Sequence, residues 1–136
     1  MRIGAYQFDV TGDIQKNTKI ICEAIKKAAE AGVRFLVFPE CAMTGYPPRD
    51  IESSVQVDFE EAERAYSKVQ ALVDDYGISV LLGTIIREES RFYNSAMLLE
   101  PHRRDIIYQK RALWGWDRDN FSGGNLPGIF EIEGLR

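Results

Sequence analysis

Two side chains of opposite charge stand where a chain of this kind can do chemistry. Glu40 follows Phe35-Leu36-Val37-Phe38-Pro39, an apolar run that ends in proline, and Lys110 closes Asp105-Ile106-Ile107-Tyr108-Gln109-Lys110. Each run is short and β-compatible. Each charged residue therefore falls at the carboxyl end of a strand, where α/β folds tend to place their sites. Pro39 has no N–H to give to a ladder, so pairing stops there. If both strands lie in one sheet their ends can converge, and a carboxylate beside an ammonium is a base with an oxyanion stabiliser. Position alone favours a plainer reading, a structural ion pair or two solvated strand ends, because exposed pairs are common and worth little.

The other reactive side chains offer less. His102 is the single histidine, in a turn beside Pro101, Arg103 and Arg104. It reads as a solvated turn residue, and one histidine excludes a histidine-based metal cluster. Cys41 directly follows Glu40, but neighbours on an extended chain point to opposite faces, so Glu40 is badly placed to activate it. Cys22 shares a helical apolar face with Ile21 and Ile25, and both cysteines read as structural thiols. Gly123-Gly124 is too short for a phosphate cradle, and no glycine-rich nucleotide signature is present. Trp114 and Trp116 fit equally a pocket wall or packing on their own loop.

The elements that must position Glu40 and Lys110 follow from periodicity and turn chemistry. Ile3 to Phe8 reads as a strand, and Asp13 caps a helix whose apolar positions include Ile14, Ile21 and Ile25, closed by Gly32. The strand to Phe38 then completes a parallel, right-handed strand-helix-strand unit. Residues 44–57 form a long loop marked by Gly45, Pro47 and Pro48. Asp58 and Glu61 open a second helix with one apolar face, ended by Gly77. Strands over 78–86, 92–99 and 105–110 follow, the first two antiparallel. The segment 111–128 is expected to be irregular, and Ile129 to Ile132 alternates like a last strand. Glu133-Gly134 is expected to turn the chain just before Arg136, which suggests an incomplete domain lacking the partner of that strand.

Composition narrows the classes. The chain has 136 residues, 45% hydrophobic and 28% charged, ordinary for one soluble domain with a real core. A net charge of −4 argues against a nucleic-acid or anionic membrane partner. The sequence has no apolar run long enough to span a bilayer and no secretory signal pattern. Two cysteines without framework spacing suggest free thiols and a reducing, cytoplasmic location.

Three segments in order carry a resemblance. Phe38-Pro39-Glu40 followed by Thr44-Gly45-Tyr46, then Tyr93-Asn94-Ser95-Ala96, then Tyr108-Gln109-Lys110-Arg111-Ala112-Leu113 with Phe121 and Gly124, resemble the amino-terminal half of the nitrilase superfamily, the carbon-nitrogen hydrolases. The resemblance implies an α/β fold, half of an α-β-β-α sandwich, with a mixed sheet and two helices on one face. It implies hydrolysis of a small linear amide, carbamoyl compound or nitrile by a Glu-Lys-Cys triad. Glu40 would be the general base, Lys110 the oxyanion stabiliser, and Tyr46, Trp114 and Asp117 pocket candidates. Asp117 stands where many members carry a second glutamate, and Ala112 where histidine is common. The family's nucleophile lies beyond the lysine motif. Residues 1–136 are thus expected to be a domain truncated before that cysteine, and neither Cys22 nor Cys41 matches it.

No metal or cofactor is implied, since thiol chemistry with a base and an oxyanion clamp is self-sufficient. The expected partners are the small-molecule substrate and either a homo-oligomer or a complementary carboxyl-terminal half, with neither nucleic acid nor membrane. A half sandwich would leave one sheet face uncovered, as an exposed apolar patch. Two other histories fit the same residues: one half of a split enzyme, and a non-catalytic binding module that keeps the fold.

Overall fold

A computed structural model of the chain describes residues 1–134. Five strands form one sheet in the order β1-β2-β3-β4-β5: β1 (Ile3–Ala5), β2 (Phe35–Val37), β3 (Ser79–Glu88), β4 (Arg91–Glu100) and β5 (Arg103–Gln109). Pairing is parallel from β1 through β3 and antiparallel from β3 through β5. The sheet is mixed, as the motifs imply.

Two helices make the crossovers, α1 (Ile14–Glu30) and α2 (Phe59–Tyr76). The Asp13 side chain accepts from the N–H of Lys16, and the Asp58 side chain from that of Glu61, so each helix starts where a free N–H finds a carboxylate. Gly77 ends α2 at φ 60°, a conformation that suits glycine. Ile21 and Ile25 of α1, Val69 and Val73 of α2, and Val80, Leu82 and Leu99 of the sheet share one fully buried core. Each such side chain contributes about 1.5–3 kcal/mol through burial. Both helices pack on this one face of the sheet.

The opposite face carries Phe35, Val37, Leu81, Leu98 and Ile107. Ile129 to Ile132 does not form the last strand its alternation suggested. An isolated bridge, Tyr108 to Pro127, and the Gly128 N–H bond to the Ile107 carbonyl at 3.1 Å tie this region to β5. The segment crosses the sheet face instead of running along an edge, so Phe130 and Ile132 pack on Phe35 and Leu98 while Ile129 stays exposed. Alternation records one buried side, and a ladder partner is a separate requirement. Beside this segment lies an apolar groove of about 500 Å³ lined by Met1, Ile3, Phe35, Ile129, Phe130 and Ile132.

Three more expectations differ in detail. β1 is shorter than residues 3–8 because its neighbour β2 has only three residues before Pro39; a single further bond runs from Tyr6 N–H to the Val37 carbonyl. The loop over 44–57 holds one 3₁₀ turn, Ser54–Gln56. The segment 111–128 holds a four-residue helix, α3 (Asp117–Asn120).

The strand directions place the site. β5 is antiparallel to β4, which is antiparallel to β3, so β2 and β5 run the same way and both end at the same edge of the sheet. Their ends are nonetheless three strand spacings apart, about 14 Å. The chain closes part of that distance after Pro39 by passing directly over β3. A Cβ at Gly83 would lie 2.2 Å from the Pro39 carbonyl oxygen, 2.7 Å from Cys41 N and 2.9 Å from Glu40 Cα. Only glycine permits this contact. The chain then rejoins β3, with Met43 N–H donating to the Gly83 carbonyl at 3.1 Å and Ile85 N–H to Thr44 Oγ1 at 3.2 Å.

Gly83→Ala is expected to lower stability by about 1–3 kcal/mol, the cost of overpacking a close contact, and to move the backbone resonances of Glu40 and Cys41. Denaturant midpoints together with amide spectra check this; a variant matching the parent in both contradicts it.

Candidate active site

The crossing at Gly83 sets Glu40 over β4 and within reach of Lys110, the residue after β5. Lys110 Nζ meets Glu40 Oε1 at 3.1 Å. The base of the Lys110 loop is fixed twice: its N–H donates to the Asn94 carbonyl at 2.7 Å, and its carbonyl accepts from Gly124 N–H at 3.0 Å. Gly124 is tightly placed as well, since a Cβ there would lie 2.1 Å from Gln109 Cβ.

Lys110 has a second acid. Asp117 Oδ2 lies 2.9 Å from Nζ, and Asp117 Oδ1 accepts from Tyr46 Oη–H at 2.9 Å. Asp117 is only 3% exposed, at the start of α3. Burial alone would raise its pKa, but hydrogen bonds from Lys110 and Tyr46 outweigh burial and hold the carboxyl below its ordinary range. Burial likewise pulls Lys110 down, and its bonds to Asp117 and Glu40 overcome that and raise it, so the ammonium persists throughout the neutral range. Tyr46 is pushed up to about 12, first by burial and then by the Asp117 hydrogen bond, so its hydroxyl stays a neutral donor. The Tyr46 ring packs near Phe121, with centroids 6.4 Å apart, and its N–H donates to Asp50 Oδ2 at 2.8 Å.

A cavity of about 760 Å³ opens beside these groups, lined in part by Gln7, Asp9, Glu40, Tyr46 and Arg49. A smaller one of about 270 Å³ lies on the sheet side of Glu40, between Gly83, Asn94 and Lys110. Among the described residues, no group of three or more His, Cys, Asp or Glu side chains is arranged to hold a metal ion.

Four of the five residues singled out from the sequence therefore meet: Glu40, Lys110, Asp117 and Tyr46 form one hydrogen-bonded chain. Trp114 does not line the cavity. It is 82% exposed, with Trp116 beside it at 63%, and it meets the group through its backbone, with its N–H 3.5 Å from Asp117 Oδ2 and its carbonyl accepting from Asp117 N–H at 3.1 Å. Cys41 is fully buried with Sγ directed to Asn94, and Cys22 sits half-buried on α1, so neither thiol faces Glu40. His102 lies in the β4–β5 turn, at the other end of β5 from Lys110, with its N–H bonded to Asp74. Asn94 was not picked out from the sequence as a site residue, yet its Nδ2 donates to Glu40 Oε1 at 2.6 Å. Its place in the Tyr93-Asn94-Ser95-Ala96 segment was the available signal.

Comparison with known proteins gives this arrangement its class. The carbon-nitrogen hydrolase family profile matches residues 2–129, and the chain belongs to that family. It is 32% identical over 115 residues to a glutamine-dependent NAD(+) synthetase of Thermotoga maritima, covering 83% of this chain and 19% of that protein. It is 27% identical over 143 residues to an arylacetonitrilase of Macrophomina phaseolina, covering 92% and 39%. An amidase from Nesterenkonia sp. AN1 superposes with a TM-score of 0.83 at 27% identity, over 98% of this chain and 54% of that one. A mutant of that amidase has been solved in complex with butyramide, and it superposes with a TM-score of 0.81 at 29% identity, over 93% and 49%. The chain thus spans about half of the solved amidase and less than half of these curated relatives. No helix among the described residues is long and apolar enough to cross a membrane.

The lowered Asp117 and raised Lys110 fix a pH window. The unfolded chain takes up the Asp117 proton first as acid is added, so the stabilisation is complete above about pH 4 and is lost as pH falls through the lower folded value. For Lys110 it is complete below about pH 10 and lost as pH rises through the higher folded value. Asp117→Asn is expected to flatten the rise in stability between about pH 3 and pH 6. Urea midpoints at the two pH values check this; an unchanged difference between them contradicts it.

Proposed function

We propose that the chain is the front half of a carbon-nitrogen hydrolase site that cleaves a small linear amide, carbamoyl compound or nitrile through a Glu-Lys-Cys triad, of which it supplies Glu40 and Lys110. The observation that carries this reading is the 3.1 Å approach of two residues 70 positions apart, beside a cavity of about 760 Å³. That volume is in the range that accepts small molecules.

In this reaction Glu40 takes the proton of a cysteine thiol, and the sulfur attacks the amide carbon. The carbonyl oxygen becomes an oxyanion facing the Lys110 ammonium. The amine leaves with the proton held by Glu40. Water, deprotonated by the same carboxylate, then cleaves the thioester to the acid and restores the thiol. A free thiol and a free glutamate differ by about 4 pKa units, roughly 5–6 kcal/mol against the first transfer. A persistent cation at Lys110 offsets part of that cost by stabilising the charge the attack creates. Asp117 keeps Lys110 charged and aimed, and Tyr46 keeps Asp117 in place.

The thiol comes from outside this chain. Cys22 and Cys41 do not face the cavity, and the match to only half of each solved amidase supports a complementary carboxyl-terminal half as its source. In one of those amidase structures, acrylamide is added at the active-site cysteine. The apolar groove beside Phe130 and Ile132 suits such a half, or self-association when that half is missing. Free thiols at Cys22 and Cys41 suit a reducing, cytoplasmic setting.

The isolated chain is expected to release no ammonia from butyramide. Reassembly with a cysteine-bearing carboxyl-terminal half is expected to give hydrolysis, which Glu40→Gln lowers about 10²–10⁴-fold and Lys110→Met about 10²–10³-fold. Ammonia release measures all of these. Hydrolysis by the chain alone, lost in Glu40→Gln, overturns the incomplete-site reading. Tight reassembly without hydrolysis makes the chain a binding module instead.

A further inference from the structure

Asn94 touches both members of the pair. Its side chain sits on β4, and the residue is 5% exposed. Nδ2 donates to Glu40 Oε1 at 2.6 Å, and the backbone carbonyl accepts from Lys110 N–H at 2.7 Å. Lys110 Nζ meets the same Oε1 at 3.1 Å. Two donors therefore converge on one oxygen of Glu40, and no donor among the described residues reaches the other. The geometry points to Asn94 as the positioning residue of Glu40: it holds Oε1 so that Oε2 is the oxygen that takes the proton, and the Cys41 thiol fixes which way the Asn94 amide faces.

The role of Cys41 follows from donor and acceptor chemistry. A carboxamide fits its place in two orientations that differ only in which end donates. Cys41 Sγ lies 3.7 Å from Asn94 Oδ1. The thiol is fully buried, and burial, then the neighbouring Glu40 charge, pushes it well above its ordinary range, so it keeps its proton and acts as a donor. A donor on that side calls for Oδ1, which turns the amino group toward the carboxylate. The reversed amide would set oxygen against the Glu40 oxygen and an N–H against the thiol proton. Cys41 reaches this position by adopting φ 50°, a region that non-glycine residues seldom enter, and that backbone turn lies against Gly83. The backbone link to Lys110 completes the arrangement. One residue of β4 thus fixes the base and the oxyanion stabiliser relative to each other, although they arrive from β2 and β5.

This role rests on Glu40 being the base, but its test needs no turnover. The measurement is the NMR of the Asn94 side-chain amide in the 136-residue chain at neutral pH. In the parent chain one Nδ2 proton is expected well downfield of those of exposed asparagines, as befits a short bond to a charged acceptor. Glu40→Gln takes away that charge and is expected to return the proton toward the exposed position. Cys41→Ala frees the amide to turn and is expected to broaden or double the Nδ2 signals. An Nδ2 proton at the exposed position in the parent chain, or one unmoved in folded Glu40→Gln, overturns the assignment of Asn94, and Nδ2 signals unchanged in folded Cys41→Ala overturn the part given to the thiol. Failure of the reassembled enzyme to depend on Glu40 would instead remove the base role and leave the hydrogen-bond assignment standing.

Discussion

The missing Cβ at Gly83 is the constraint on which the rest of the site depends. β2 and β5 end at one edge of the sheet but about 14 Å apart, too far for a glutamate and a lysine to meet if each loop simply left its own strand. The Pro39-Glu40-Cys41 backbone closes the gap by lying on β3, closer than any side chain would allow. Pro39 releases the chain from the ladder, and the bond from Met43 to Gly83 returns it. A second close approach, Gly124 against Gln109, holds the Lys110 side.

Charge balance then decides what each group does. Lys110 lies between Glu40, which is half-exposed, and Asp117, which is buried. The exposed pair adds little to stability, since solvent screens it. The buried partner matters more, because an ionised Asp117 without its cation would be an uncompensated buried charge. Asp117 and Tyr46 therefore form the rigid back of the site, while Glu40, on the solvent side, keeps one oxygen free of described donors. On the proposed reading, a fixed cation beside a carboxylate with one oxygen free of described donors is the arrangement an acid-base pair needs.

The sheet itself is two-sided in an uneven way. Two helices with complementary apolar stripes finish one face. The other is finished only in part, by Phe130 and Ile132 on Phe35 and Leu98, and an apolar groove remains beside them.

Local rules suffice for much of this molecule, and the sequence determined those parts unaided. Asp13, Asp58 and Gly77 mark helix ends because capping needs only the nearest backbone groups. The apolar stripes of α1 and α2 and the termination of β2 at Pro39 are equally local, and the three motifs carried the family and drew attention to Glu40 and Lys110. Tertiary structure decided what depends on distant partners. Ile129 to Ile132 alternates like a strand but covers a sheet face, because a ladder needs a neighbour that its sequence cannot supply. Trp114, a pocket candidate by type, points to solvent. Asn94 gained its role only when β4 came between the ends of β2 and β5, and Asp117 became the buried anchor of Lys110 only once α3 had formed against Tyr46. Whether Glu40 and Lys110 meet was settled by a glycine on a third strand, more than 40 residues after Glu40 and more than 25 before Lys110. Such a contact is fixed by packing across the sheet, and no local sequence pattern encodes it.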